Sequence, residues 1–226
     1  MNNRGAMNNR GRKGPLRRIC PIVIILLVLV IFIAGMILIF TKGSRTGEAS
    51  VYGIENVEQY RPQMSVELLT PNPYSRPQTA TEKITGIVIH YVANPGSTAE
   101  QNRSYFEGLK DSHETYASSH FIVGLEGKIV QCIPTSEMAY ASNDRNNDTV
   151  SIEVCHPDET GKFNDDTYDS LVELTGWLCE YLEVPVENVI RHYDVTGKLC
   201  PLYFVEHEDA WEQFKDDVTN WIKNHQ

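Results

Sequence analysis

From Ile19 to Phe40 the chain carries no charge and consists almost wholly of Ile, Leu, Val and Phe. A helix rises about 1.5 Å per residue, so about 22 residues cover roughly 33 Å, the thickness of a bilayer's hydrocarbon core. Pro21 falls in the first turn, where its missing N–H costs no hydrogen bond, and Gly35 is tolerated inside a lipid-embedded helix. A cleaved signal peptide has an apolar run of about 7–15 residues and a small-residue cleavage site. This run is longer, and Ile39, Phe40, Thr41 and Lys42 make a poor cleavage context. The sequence therefore predicts an uncleaved single transmembrane helix over residues 19–41.

Six positive charges precede that span (Arg4, Arg10, Arg12, Lys13, Arg17 and Arg18), and only Lys42 and Arg45 come closely after it. The bias predicts a single-pass membrane protein with a basic cytoplasmic tail over residues 1–18 and an extracellular C-terminal body. Residues 1–45 hold eight positive charges and no acid, which leaves 12 Lys and Arg against 30 Asp and Glu in the remainder. Nucleic-acid affinity rests on neutralising phosphates with basic side chains, so a body this acidic excludes nucleic acid as a partner.

Residues 42–83 read as an extracellular linker and lead-in, polar at first and then stiffened by Pro62, Pro71, Pro73 and Pro77. The half containing the prolines is expected to pack on the domain C-terminal to it. Dense patterning begins at Ile84 and defines that expected domain over residues 84–226. Ile84 to Val92 reads as a buried strand that ends in polar chemistry at His90. Ser97 and Glu100 have capping-box spacing ahead of a helix with Tyr105, Phe106 and Leu109. Residues 118–126 and 128–134 alternate about Glu126 and Gly127, a hairpin signal. Thr149–His156 is a further strand, and Asn164 or Asp165 caps a helix with Leu171, Leu174, Leu178 and Tyr181 at helical spacing. A short strand lies near Val189–His192, and a last helix presents Trp211, Phe214, Val218 and Ile222 on one side. The predicted fold class is α/β, a mixed central β-sheet flanked by helices and preceded by the transmembrane helix.

The most informative stretch runs from His192 to Pro201. His192 closes a predicted strand, and Cys200 returns eight residues later after a loop containing Gly197. With His90 as a third ligand from a neighbouring strand, two imidazoles and a thiolate give Zn²⁺ three protein ligands and leave one tetrahedral position for water. On spacing alone, Cys200 reads equally as a buried thiol or half of a disulfide, and a histidine at a strand end as an ordinary polar residue.

Five stretches carry a resemblance: Ile87–Tyr91, Ser118–Val123, Gly127–Gln131, Thr149–Val154 and Ile190–Pro201. In this order they resemble the zinc-dependent N-acetylmuramoyl-L-alanine amidases of the type 2 class, in the superfamily that includes the peptidoglycan recognition proteins. The resemblance implies Zn²⁺ as cofactor with His90, His192 and Cys200 as ligands, and peptidoglycan as substrate. It implies cleavage of the amide between N-acetylmuramic acid and the L-alanine of the stem peptide by zinc-activated water. Glu153 is the candidate proton shuttle, because an acid between Ile152 and Val154 in a central strand is costly without a task. Lys198, two residues before Cys200, is the candidate for stabilising the tetrahedral intermediate.

Two departures qualify the resemblance. Ser119 stands where some relatives place a catalytic tyrosine, which favours the glutamate variant of the mechanism, and Tyr140 with Ala141 replaces a Trp-His pair. His120 reads as structural. Two other functions share these residues: a peptidoglycan-binding receptor without turnover, and a cysteine hydrolase using Cys200 with His192. Cys132, Cys155 and Cys179 face an exported compartment in which disulfides form, but no pairing is implied by the sequence.

Overall fold

A computed structural model describes residues 54–226 of the chain. The predicted anchor and basic tail lie outside the described residues. Among the described residues no helix is long and apolar enough to cross a membrane.

Among the described residues six strands form one sheet: β1 (Met64–Val66), β2 (Gly86–Tyr91), β3 (Phe121–Val123), β4 (Ile129–Gln131), β5 (Thr149–Val154) and β6 (Val189–Arg191). Their order is β1-β4-β3-β5-β2-β6, and every neighbouring pair is parallel except the β3–β4 hairpin. Gly127 turns that hairpin at a φ of 70°, in the left-handed region that glycine enters without a steric cost. The mixed sheet expected from the sequence is therefore observed. The lead-in contributes more than a path, because Met64–Val66 pairs in parallel with β4 and Leu69 is buried. Arg76, from the same stretch, makes two hydrogen bonds to the Glu137 carboxylate at 2.8 and 2.7 Å. Packed structure thus begins well before residue 84.

The helices are α1 (Ala99–Ser112), α2 (Asp165–Tyr181), α3 (His192–Thr196), α4 (Leu202–Glu206) and α5 (Glu208–His225). Helix α1 starts one residue later than Ser97-based capping predicts: Thr98 is the N-cap and forms a capping box with Gln101. Asn164 caps α2 as expected, its side chain accepting from the Thr167 N–H.

Side chains alternate along a strand, and the two faces of this sheet bury different clusters. Ile87 and Ile89 of β2, Phe121 and Val123 of β3 and Val150, Ile152 and Val154 of β5 pack with α2 and α5. Leu171, Leu174 and Leu178 of α2 are buried there with Trp211, Phe214, Val218 and Ile222 of α5. Tyr181, which shares their spacing, is exposed and stacks on Trp177. Ile122 and Val130 point the other way and pack with Phe106 and Leu109 of α1. Burying one such side chain contributes about 1.5–3 kcal/mol, so two clusters on opposite faces hold the sheet rigid. That rigidity matters for the second face, where His90 and Glu153 occupy the alternate positions.

Candidate metal centre

His90 is the fifth residue of β2 and Glu153 the fifth of β5, and the parallel register sets them side by side. Their neighbours Ile89 and Ile152 enter the helical face, so the alternation turns His90 and Glu153 to the opposite one. His192 arrives from the next strand over. Arg191, the last residue of β6, holds this junction: its guanidinium contacts the Asp194 and Glu208 carboxylates at 3.0 and 2.6 Å. It also donates to the Phe204 carbonyl at 3.0 Å.

The return of Cys200 has a local cause. Helix α3 ends at Gly197, whose φ of 77° turns the chain back on itself. The Tyr193 N–H then donates to the Cys200 carbonyl at 2.9 Å and closes the loop. As a result His90, His192 and Cys200, all buried, bring one ligand atom each to within 4.8 Å of one another. Cys200 Sγ lies 3.9 Å from His90 Nδ1, and the two imidazole centroids are 4.6 Å apart.

The electrostatics suit a cation. Burial, reinforced by the charges of His192, Lys198 and His120, pushes the His90 pKa well below its ordinary value. Burial and then Lys198 lower that of His192. Both rings are therefore neutral near pH 7, the form that ligates metals. Burial and the neighbouring Glu153 push the Cys200 thiol up to about 12, opposed by the Tyr91 N–H and Lys198. Without a cation the sulfur stays protonated, and a divalent ion would have to displace that proton to bind. Two imidazoles and a thiol, buried and convergent, fit Zn²⁺ by donor type.

Glu153 Oε2 is buried and has no hydrogen-bond partner among the described residues. Burial raises its pKa to about 8, against the pull of Lys198. Lys198 is exposed on the Gly197 turn, and its charge acts on His90, His192, Glu153 and Cys200. Of the residues singled out in the sequence, His90, His192 and Cys200 converge, Glu153 pairs with His90 in the strand register, and Lys198 lies exposed on the turn two residues before Cys200.

The other expected residues have packing roles. Ser119 is buried, its hydroxyl donating to the Phe121 and Ser151 carbonyls at 2.9 and 3.0 Å. His120 accepts from the Ser151 N–H at Nδ1, 3.0 Å, and donates from Nε2 to the Glu137 carbonyl at 2.9 Å. Cys132, Cys155 and Cys179 are buried free thiols. Sequence reasoning passed over Ser142 and Asn143, which touch the two imidazoles: Ser142 Oγ is 3.3 Å from His90 Nε2, and Asn143 Oδ1 is 2.9 Å from His192 Nε2. The polar run from Ser142 to Asn147 signals a turn but not what the turn contacts.

A mixed α/β sheet with helices on both faces, and a buried His-His-Cys cluster drawn from strand β2, the end of edge strand β6 and the loop that follows, define a class of domain built around a metal-type site. Residues 80–202 match the family described as N-acetylmuramoyl-L-alanine amidase, and the chain belongs to that family. CwlL of Bacillus licheniformis, named as an N-acetylmuramoyl-L-alanine amidase, is 31% identical over 166 residues, covering 68% of this chain and 46% of that protein. The chain spans about half the length of the curated relatives it matches. Among solved structures, the PlyG catalytic domain is 26% identical with a TM-score of 0.60, covering 71% of this chain and 96% of that one. PlyL has the same fold at a TM-score of 0.61 and 24% identity, covering 70% of this chain and 97% of that one.

Proposed function

We propose that this protein is a zinc-dependent peptidoglycan hydrolase that cuts the amide between the lactyl group of N-acetylmuramic acid and the L-alanine of the stem peptide. The observation that carries the reading is the convergence of His90, His192 and Cys200 within 4.8 Å beside a carboxylate whose buried Oε2 is unpartnered. The relatives named as amidases of this specificity support it.

His90, His192 and Cys200 would hold the cation, which would supply Lewis acidity toward the amide carbonyl and toward water. Glu153 takes a proton from the attacking water at its free Oε2 and returns it to the leaving amine. Burial raises this carboxyl's pKa to about 8 in the metal-free chain, and a divalent cation beside it would favour the ionised, proton-accepting form that the shuttle needs. Lys198 places its ammonium toward the oxygen on which negative charge develops. The apolar faces of β2 and β5 are sealed by helices, so these groups work on a fixed floor.

Residues 19–41 anchor the protein in the membrane, with residues 1–18 cytoplasmic and the hydrolase body outside. Peptidoglycan lies on that side, and tethering confines cleavage to nearby wall.

Digestion of defined muropeptides by the full chain, read by mass spectrometry, tests the reaction. The expected products are a free peptide beginning with alanine and an intact muramyl sugar, lost on chelation and restored by Zn²⁺. Cleavage at any other bond, or activity indifferent to chelation, would contradict it.

A further inference from the structure

Both imidazoles of the cluster have two nitrogens, and only one of each can face a cation. His90 Nδ1 lies 3.9 Å from the Cys200 sulfur, while its Nε2 lies 3.3 Å from Ser142 Oγ. His192 Nε2 lies 2.9 Å from Asn143 Oδ1. An amide oxygen only accepts, so His192 carries its proton on Nε2 and keeps its lone pair on Nδ1. The Ser142 hydroxyl can donate or accept, and with His90 Nδ1 facing the Cys200 sulfur the proton falls to Nε2, where the hydroxyl accepts it. Two consecutive residues of one turn therefore hold the outward nitrogens of rings that come from two different strands.

That turn is itself fixed. Asn146 Oδ1 accepts from the Ala141 and Ser142 N–H groups at 3.1 and 2.6 Å. The Arg145 N–H donates to the Ser142 carbonyl at 3.0 Å, and Tyr140 is tied to Ser118 through both its N–H and its carbonyl. Asn143 sits at a φ of 52°, a left-handed conformation that asparagine adopts more readily than most residues. Ser142 is buried. The conformation delivers both side chains to the rings at once.

We propose that Ser142 and Asn143 are positioning residues that clamp His90 and His192 in the tautomer presenting Nδ1 to a bound divalent cation. Partners of this kind orient metal ligands and raise their basicity, and losing one weakens metal binding by about 10–100-fold. The inference rests on the metal site of the proposed amidase but not on which bond that enzyme cuts.

The test measures Zn²⁺ affinity by competition with a chromophoric chelator, using the full chain and three variants, alongside the melting of each metal-free protein. Asn143→Gly removes the acceptor and keeps the left-handed backbone, Asn143→Asp keeps an oxygen in place, and Ser142→Ala removes the second contact. Zn²⁺ binding is expected to weaken by about 10–100-fold in N143G and S142A and to be retained in N143D, a loss larger than any accompanying shift in metal-free melting accounts for. Nitrogen-15 spectra of the unmodified Zn²⁺-loaded protein are expected to show both protons on Nε2, and they decide the matter even if a variant fails to fold. Unchanged affinity in N143G, equal weakening in N143D, or protons on Nδ1 would overturn the clamp. Failure of the unmodified chain to bind Zn²⁺ would overturn the metal reading and the clamp together.

Discussion

Glu153 sits in a position that folding alone does not favour. A carboxyl with a buried, unpartnered oxygen is held there only by the strands around it, and burial raises its pKa to about 8. Glu153→Gln keeps the shape and removes the proton shuttle, so kcat on muropeptides is expected to fall by about 10²–10⁴ with Zn²⁺ content intact. A rate near that of the unmodified protein would remove Glu153 from the mechanism. His120 gives a second test, independent of the metal. Burial lowers its pKa to about 4, against 6.5 in the unfolded chain. Between those values the unfolded chain binds a proton that the folded one refuses, so stability falls as pH drops through that window, by at most about 3 kcal/mol. Urea titrations from pH 7 to 4 are expected to show this loss, with a shallower pH slope in His120→Gln; an unchanged slope would refute it. Of the site, the ligand set was legible only through the family resemblance, because spacing alone left the histidines and Cys200 ambiguous, whereas Glu153 leaves a local mark as an acid between apolar residues. Ser142 and Asn143 were not, because they act on rings 52 and 49 residues away and nothing in a polar turn encodes that contact.

At the scale of elements, the packing of α2 against α5 runs through Gly176. A Cβ there would lie 2.5 Å from Trp221 Cε3, whereas one at Gly108 in α1 meets nothing within 4 Å. Gly176→Ala is expected to destabilise by about 1–3 kcal/mol through overpacking. Gly108→Ala is expected to stabilise by about 0.5–1 kcal/mol, because alanine loses less freedom in a helix. Chemical denaturation of both variants checks the pair, and equal effects would mean that the helix contact is not tight. The long elements were legible from their period, as the buried face of α5 shows. Strand β1 was not: three residues between Pro62 and Pro71 carry no period, and pairing with β4 alone makes them a strand. The start of α1 differed by one residue because Ser97 and Thr98 both have capping side chains. Thr98 is the one three residues ahead of Gln101, whose side chain returns the bond.

For the whole molecule, two physical features meet only in the proposed function. One is an apolar run of membrane-spanning length with positive charge before it; the other is a domain whose two buried clusters hold a sheet against a metal-type site. Metal binding should register in global stability. Zn²⁺ at about 1,000 times its dissociation constant adds about 4 kcal/mol, and for a protein of this size each kcal/mol raises Tm by roughly 2–4 °C. Thermal melts with Zn²⁺ and with excess chelator are expected to differ accordingly, and coincident melts would contradict a folded-state site. The most direct measurement is X-ray absorption at the zinc edge of the Zn²⁺-loaded full chain. One zinc per chain is expected, with two imidazole nitrogens at about 2.0–2.1 Å and one sulfur at about 2.3 Å. A shell without sulfur, or one closed by a fourth protein ligand, would contradict the proposed centre.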